Sequence, residues 1–339
     1  MNQALIREYE RHCSVIDENN WPRNDRRKLK SDIKAILQRD GYVNPQALTP
    51  EYRWNLCSAR LRDRDFTNWD GWEFRSDWAM TFRWGKEIKS PVPKWNGGPC
   101  SHLVVLGEQG IGDEIMFLSA LPELMVRVGS QNLEVQTYPR LQKIVERSFK
   151  VRCTDRKPLG EVKEGEAIVA LGDLFPFYRR DESHFPKKPF LKPDPEKVKY
   201  WKDWLSQFPG EKIGYAYKSR HGFHSKEEIR KAAADVKGDC YVFDLQYDSE
   251  GSDKPPFDTK NDFENLFAFV SCLDRVVTVT QTLAHVAGSL GKECHAIIPP
   301  KNGDITWYLW YWGTKTRDAL IYPNMTVYKN LDEFRTRRA

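Results

Sequence analysis

The chain has 339 residues, which is too long for one small hydrophobic core and predicts about two domains of ordinary size. Its 53 basic and 48 acidic side chains leave a formal charge of +5, so histone-like, purely electrostatic binding of nucleic acid is excluded. Apolar residues make up 40% of the chain, and this content excludes global disorder.

The sequence shows no sign of membrane insertion or secretion. No run approaches about 18 uninterrupted apolar residues, and the N-terminus carries charges where a signal peptide needs an apolar segment. The seven cysteines are odd in number and none forms a C-x-x-C pair, so neither a zinc ribbon nor a disulfide framework is expected. We therefore expect reduced thiols in a cytoplasmic protein.

Residues 1–85 are predicted to form a helical segment. Thr49 followed by Pro50 is a typical helix start, with threonine as the N-cap and proline in the first turn. Residues 51–75 look like a degenerate tetratricopeptide-type helix pair, and one such pair cannot bury its own apolar face. We therefore expect this pair to dock on the next domain. The side chains expected at that contact are Trp54, Trp69 and Trp72.

After a connector rich in proline and glycine, short apolar runs alternate with helical stretches, which predicts parallel α/β sheets. The predicted strands are 102–106, 133–137 and 167–171, then 212–217, 241–245, 276–279 and 294–298. They define a first domain over residues 100–190 and a second over 210–315, with residues 316–339 as a tail that packs back. The fold class is thus α/β, with two Rossmann-like domains across a central cleft.

The strongest local signal is the glycine-rich turn GEQGIGDE at residues 107–114, after the first predicted strand. Open α/β sheets bind ligands at the carboxyl ends of their strands, and Gly110 and Gly112 permit a tight turn and close approach of a ligand. The glycine order matches neither the dinucleotide fingerprint nor a P-loop. Asp113 lies in the first turn of the next helix, where it either caps the helix or serves chemistry.

A second signal lies at Thr280, Gln281 and Thr282, which begin a helix after a predicted strand. Backbone N–H groups at a helix start suit a phosphate, and the threonine hydroxyls add donors; the alternative is an ordinary capped helix. His285, on the same helix, is either part of that site or a core histidine.

A third signal is the basic pair Lys218 and Arg220, which directly follows another predicted strand. These cations can neutralise a diphosphate, and the alternative is a solvated basic loop. We place a nucleotide base beside the strand end near Gln246. The sequence has no cluster of carboxylates that would predict a metal site. It also lacks the G-x-S-x-G nucleophile elbow.

Together, the order of these motifs resembles the family-9 glycosyltransferases, the heptosyltransferase-like group, and most of all the bacterial and phage members with N-terminal tetratricopeptide repeats. Four pieces match in order over about residues 50–330. They are the helix pair followed by PKWNGG; GEQGIGDEIMFLSALPEL; LGDLFPFYRR with KPFLKPDPEKVKYW; and the run from KIGYAYKS to YPNMTVYKN.

This resemblance implies a GT-B architecture, with the acceptor held mainly by the first domain and a nucleoside-diphosphate sugar mainly by the second. It implies an inverting, metal-independent sugar transfer in which Asp113 is the general base for the acceptor hydroxyl. Lys218, Arg220 and the helix start at 280–282 would stabilise the leaving nucleoside diphosphate. It also implies the bacterial cytoplasm, or the host cytoplasm for a phage-encoded protein.

Two departures from the family pattern fall at the expected donor site. Thr280-Gln281 stands where many members have Asp-Thr, and residues 219–221 are Ser-Arg-His where members often have Gly-Asn-Pro. The function therefore stays open between an active glycosyltransferase and a non-catalytic GT-B-like binding or structural module. A nucleotide-binding oxidoreductase is the weaker third option, because the glycine order is wrong for it.

The acceptor is left open among a saccharide, a lipid-linked glycan, a protein and a modified nucleobase in DNA. A nucleobase acceptor would need a basic groove, for which the sequence offers clusters at residues 150–157 and 179–180.

Overall fold

A computed structural model describes residues 3–18, 23–44, 48–74, 94–156, 165–186, 188–219, 222–298, 310–312 and 318–338. These residues form an N-terminal helical segment followed by two parallel α/β sheets, which confirms the predicted fold class. None of the helices within these ranges is long and apolar enough to cross a membrane.

The N-terminal segment contains three long helices, α1 (Gln3–Glu18), α2 (Arg23–Asp40) and α3 (Pro50–Arg62). The predicted start of α3 is confirmed, because Thr49 is the N-cap and its hydroxyl accepts the N–H of Tyr52 at 3.2 Å. The remainder of the predicted helical segment, from residue 75, lies outside the described residues, which resume at residue 94.

The N-terminal segment also has a small core among its own helices. Helices α1, α2 and α3 bury an apolar cluster between them. That cluster contains Val15, Ile16, Ile33, Leu37, Tyr52, Leu56 and Ala59. The segment therefore has two apolar parts, a core among its own helices and a separate surface that docks on the α/β domains.

The docking surface is the predicted tryptophan contact, and it is confirmed for Trp69 and Trp72, which are 6% and 2% exposed. Their indole N–H groups donate to the carbonyls of Arg179 at 2.9 Å and Gly172 at 3.0 Å, both in the first α/β domain. Trp54 is half-buried and lies against Trp72 with ring centroids 5.6 Å apart.

The first sheet has the strand order β3-β2-β1-β4, and all of its strands are parallel. Its strands are β1 (His102–Leu106), β2 (Leu133–Thr137), β3 (Arg152–Asp155) and β4 (Glu166–Ala170). Its helices are α4 (Ile111–Phe117), α5 (Leu121–Val128), α6 (Pro139–Phe149) and α7 (Leu174–Tyr178). In this order β1 is central, so the glycine-rich turn that follows β1 lies in the middle of the carboxyl edge.

The second sheet has the order β11-β10-β9-β5-β8, again all parallel. Its strands are β5 (Glu211–Ala216), β8 (Cys240–Asp244), β9 (Arg275–Val279), β10 (Glu293–Ile297) and β11 (Met325–Tyr328), and a short antiparallel hairpin is formed by β6 (Lys218–Ser219) and β7 (Gly222–Phe223). Its helices are α8 (Pro195–Leu205), α9 (Lys226–Ala234), α10 (Phe263–Cys272), α11 (Thr282–Ser289) and α12 (Leu331–Arg338). The C-terminal tail thus supplies an edge strand and a helix to this sheet.

One continuous hydrophobic core runs through both sheets and the docking tryptophans. Helices α4 and α11, one from each domain, pack directly against each other. Trp310 packs among the tryptophans of the N-terminal segment, with ring centroids 6.1 Å from Trp69 and 6.0 Å from Trp72. The carboxyl edges of β1 and β9 consequently meet at one cleft.

Candidate active site at the cleft between the sheets

The glycine-rich turn after β1 is tightly constrained. The Gly107 N–H donates to the carbonyl of Gln136 at 2.7 Å, and a side chain at Gly107 would overlap the carboxylate of Glu114. Gln109 adopts a left-handed conformation with φ of 55°. The phenol of Tyr138 donates to the Gln109 carbonyl at 3.2 Å. The turn is therefore held in one shape at the carboxyl edge, as a preorganised ligand-binding loop requires.

Asp113 occupies the third position of α4 and faces the N-cap. Its Oδ2 accepts the N–H of Gly110 at 3.2 Å, so the prediction that Asp113 caps the helix is confirmed. The side chain is half-buried. Burial, with the charge of Asp113 as a smaller cause, holds the pKa of Tyr322 well above its usual value. Asp113 therefore lies near the interdomain contact, and its role as a base stays a prediction.

Gly112 and His285 form the contact between α4 and α11. A Cβ on Gly112 would lie 2.7 Å from Cδ2 of His285, so only glycine lets the two helices approach this closely. The His285 Nδ1 lies 2.7 Å from the phenol oxygen of Tyr322, and its ring packs 4.8 Å from Trp312. Burial lowers the pKa of His285 to about 3, so the ring is neutral at physiological pH.

Two acids of the turn, Glu108 and Glu114, are fully buried, and the sequence analysis did not assign them a role. Glu108 accepts the N–H of Gly172 at 2.6 Å and so ties the β1 turn to the loop after β4. Glu114 forms an ion pair of 2.6 Å with Nη2 of Arg156, whose guanidinium lies over the Tyr138 ring. The sequence signal for the structural role of Glu114 was an acidic residue within a mostly apolar helix.

Two arginines of the basic clusters, Arg156 and Arg179, are not available to an exposed groove for a nucleobase acceptor, whereas Lys150, Arg152 and Arg180 are exposed. Arg179 is fully buried, with Nη1 2.6 Å from Oε1 of Glu123 and Nη2 donating to the carbonyl of Ser119 at 2.8 Å. The Arg156 side chain is 9% exposed and is paired with Glu114. Both arginines are bound inside the first domain because their carboxylate partners are buried or half-buried beside them.

The β9–α11 turn is built differently from the β1–α4 turn. Thr280 donates its N–H to the carbonyl of Ile297 at 3.0 Å, and its buried hydroxyl has no hydrogen-bond partner among the described residues. Gln281 is the N-cap, but its side chain makes no capping hydrogen bond and instead donates to the Thr278 hydroxyl at 3.4 Å. The first turn of α11, beginning at Thr282, is thus left without a side-chain cap.

Lys218 and Gln246 lie together at the end of β5. The Lys218 ammonium is 2.6 Å from Oδ2 of Asp248, and this hydrogen bond raises the pKa of Lys218. The Gln246 amide oxygen accepts the N–H groups of Tyr217 and Lys218, and its amide nitrogen donates to Asp248 at 2.8 Å. Both predicted residues therefore have partners within the protein. Arg220 lies outside the described residues.

A cavity of about 150 Å³ lies between the two domains, next to the start of α11. The first domain contributes Ile111 and Arg140, and the second contributes the other lining residues, which include Leu245, Tyr247, Thr259, Lys260, Phe263, Gln281 and Thr282. Gln281 and Thr282 are the predicted site residues that line it. Arg140 was missed, although its place three residues beyond β2 is at the same carboxyl edge. Within the described ranges, no group of three or more His, Cys, Asp and Glu side chains is arranged to hold a metal ion.

No protein-family model matches the chain. The chain is 27% identical over 304 residues to Protein FlbA of Caulobacter vibrioides, and the match covers 77% of this chain and 50% of FlbA. It therefore spans about half the length of the curated relative that it matches.

Solved structures similar to this chain include the glycosyl transferase family 9 protein from Veillonella parvula, with a TM-score of 0.47 and 11% identity over 70% of this chain and 88% of that one. They also include the ADP-heptose lipopolysaccharide heptosyltransferase II of E. coli, with a TM-score of 0.41 and 11% identity over 67% and 90%. Both are glycosyltransferases of the group that the motif order resembles.

Proposed function

We propose that this chain is a glycosyltransferase that moves a sugar from a nucleoside-diphosphate sugar to an acceptor hydroxyl, with inversion and without a metal ion. One observation carries the proposal. The Gly112–His285 contact brings the start of α4, with Asp113, beside α11, whose uncapped first turn lines the interdomain cavity. A potential base and a potential phosphate site therefore share one cleft.

Asp113 is the proposed base. A carboxylate at this position takes the proton of the acceptor hydroxyl while that oxygen attacks the sugar carbon from the face opposite the leaving diphosphate. Capping and base catalysis are compatible here, because the hydrogen bond from Gly110 fixes the orientation of the carboxylate. Holding the reacting groups in line in this way is itself a large part of the rate enhancement.

The donor is proposed to bind beside α11, with part of its nucleoside diphosphate in the cavity there and the rest in the open cleft. Leu245, Tyr247 and Phe263 offer a largely apolar wall for a nucleotide base. The N–H groups at the start of α11, together with Thr280 and Thr282, suit the phosphates. When the glycosidic bond breaks, the diphosphate gains negative charge, and preorganised donors of this kind stabilise it without a metal.

The acceptor is proposed to lie on the first-domain side, beside the β1–α4 turn. A saccharide, a lipid-linked glycan and a protein hydroxyl all fit this reaction. A DNA nucleobase has less support, because Arg156 and Arg179 are buried ion-pair partners and leave the proposed basic groove incomplete.

The test begins with a thermal-shift screen of UDP-, GDP-, ADP-, CMP- and dTDP-sugars, since a ligand that binds the native state raises Tm. With the sugar nucleotide that binds, the release of free nucleotide is then compared between wild type and Asp113→Asn. Asparagine keeps the size and the cap but is not a base, so we expect turnover to fall by roughly two to four orders of magnitude with binding retained.

The matched control is Asp181→Asn. Asp181 is also a capping aspartate, which accepts the N–H of Ser183 at 2.7 Å, but it lies on the surface outside the cleft. Its variant should turn over like wild type. Near-normal turnover by Asp113→Asn would refute the assignment of the base.

A non-catalytic module of the same fold is the second candidate. The observation that favours it is the Lys218–Asp248 ion pair, because Asp248 already neutralises a lysine that was expected to bind phosphate. This candidate predicts no Tm shift with any sugar nucleotide, whereas an active transferase must bind its donor.

A further inference from the structure

Arg140 differs from the other arginines at this edge of the first domain. Two turns along α6, Arg147 is bound to Glu264 and lies 3.4 Å from Asp194, and Arg156 is paired with Glu114. Arg140, in contrast, is half-buried, and no carboxylate in the described part of the chain lies within ion-pair distance of it. A cation that is partly removed from water without a counter-charge favours binding of an anion.

The second domain fixes the orientation of the Arg140 side chain without neutralising its charge. Nη1 donates to the backbone carbonyl of Lys260, and the guanidinium carbon lies 4.8 Å from the centroid of the Phe263 ring. The Tyr138 ring lies on the first-domain side at 5.6 Å. These contacts hold the planar guanidinium in place in a residue that lines the cavity.

The cavity as a whole carries positive charge. Arg140 and Lys260 both line it, and none of its described lining residues is acidic. The Lys260 ammonium forms no ion pair with any described residue either, whereas Lys218 is bound to Asp248. The charge of Lys260 also acts on Asp258, whose pKa it helps to lower, whereas no described carboxylate lies within ion-pair distance of Arg140. Arg140 is therefore the cation of this cavity that a phosphate would pair with first.

We propose that Arg140 binds the diphosphate of the donor, reaching it from the first domain, with Lys260 as the second cation. The inference rests on the proposed function and adds a residue that neither the motifs nor the family pattern assigned. It also links donor binding to the base, because Arg140 and Asp113 belong to the same sheet edge. A bound diphosphate would therefore be held by both domains at once.

The experiment is calorimetric titration of wild type and variants with UDP, GDP, ADP, CDP and dTDP, and with the matching nucleosides. Arg140→Gln keeps an N–H donor for the Lys260 carbonyl but removes the charge. It should weaken binding of the tightest diphosphate by about 10- to 100-fold, the range of a charge-assisted hydrogen bond. Binding of the bare nucleoside should change by less than about 2-fold, since it carries no phosphate.

Arg127→Gln is the matched control, because Arg127 also donates to a backbone carbonyl, that of Gly97 at 3.0 Å, but lies outside the cavity. The Arg127→Gln variant should bind the diphosphate as tightly as wild type does. Arg140→Lys keeps the charge and loses the planar fork, so an intermediate loss supports the proposal. Tm values of all variants identify any that fail to fold.

The outcomes separate the two proposals. If wild type binds a diphosphate and Arg140→Gln binds it equally well, the Arg140 inference is overturned while the proposed function stands. Equal losses for the diphosphate and the nucleoside also overturn it, since Arg140 would then shape the cavity instead of binding phosphate. If wild type binds none of the five diphosphates, the proposed function itself fails.

Discussion

Helices α4 and α11 begin at the same cleft and pack against each other, yet their first turns are built in different ways. In α4, the carboxylate of Asp113 reaches back and satisfies the N–H of the N-cap residue Gly110. In α11, the N-cap Gln281 leaves its side chain away from the helix start. An acid at one helix start and open N–H groups at the other are what a base and a phosphate site require.

The comparison shows that the position of a helix start in the fold does not decide its role. Both starts lie at carboxyl ends of strands, where open α/β sheets bind ligands. The residue that caps, or fails to cap, the first turn sets the sign of the charge that the turn can accept. An aspartate at α4 repels an anion, whereas the uncapped start of α11 attracts one.

Gly112→Ala is expected to have the largest effect, because it breaks the contact between the two helices. Its Cβ would lie 2.7 Å from the buried His285 ring, which has no room to retreat from Tyr322. Overpacking of this kind costs about 1–3 kcal/mol of stability and should also move Asp113 away from the donor. Urea unfolding and turnover measure the two effects.

Gly110→Ala serves as the matched control in the same turn. Gly110 has a negative φ, and an added Cβ would approach only Asp113, at 3.1 Å from its Oδ2. We expect it to lose less than about 1 kcal/mol, the scale of a changed N-cap residue. Equal losses in both variants would mean that the α4–α11 contact is not especially close.

The neutral histidine at this contact predicts a pH dependence of stability. Burial lowers the folded-state pKa of His285 to about 3, below the unfolded value near 6.5. Between these values the unfolded state binds a proton that the folded state does not. Stability is therefore full above pH about 6.5 and falls as the pH drops toward 3, by up to about 1.4 kcal/mol per pH unit.

Chemical unfolding of wild type and His285→Gln at pH 7, 6 and 5 checks this dependence. The His285→Gln variant should be less stable than wild type at pH 7, but its free energy of unfolding should fall less steeply as the pH drops. His12, whose pKa is lowered to about 4 mainly by burial, and His224, whose pKa burial also lowers, contribute to the decline that remains. Identical slopes for the two proteins would show that His285 does not remain neutral in the fold.

Gln281→Asp is expected to have the smallest effect of these substitutions. It places a carboxylate at the start of α11, as Asp113 does at the start of α4. We expect about 1 kcal/mol more stability and weaker diphosphate binding, because the carboxylate occupies the helix start and repels the phosphates. Gln281→Asn, which caps without a charge, separates the two causes. Unchanged diphosphate affinity in both variants would place the phosphates away from α11.

Much of the fold was predictable, because a buried parallel strand is a continuous apolar run. All seven predicted strands are confirmed to within one residue. The edge strand β3 was missed because Arg152 to Asp155 are mostly polar, and β11 was hidden in the tail. The core among α1, α2 and α3 was not foreseen, because the predicted helix pair at residues 51–75 includes neither α1 nor α2.

The site was less predictable for a different reason. Gln281 and Thr282 could be found from position alone, since they begin a helix after a strand. The significance of Arg140 is that no described carboxylate lies within ion-pair distance of it, and this is a property of its three-dimensional neighbours. Burial of Glu114 and its pairing with Arg156 likewise depend on how β3 meets α4.

The aromatic cluster around Trp310 has a consequence for the kinetics of nucleotide exchange. Trp310 is 3% exposed and packs edge-on against both Trp69 and Trp72 of the N-terminal segment, and Phe175 of the first domain packs on it with ring centroids 6.3 Å apart. A rotation that opened the cleft between the domains would expose these buried aromatic rings to water. If the proposed donor binds, the rate of its entry and exit should therefore be set by rotation of side chains at the cavity rim, such as Tyr247, and not by a hinge between the domains.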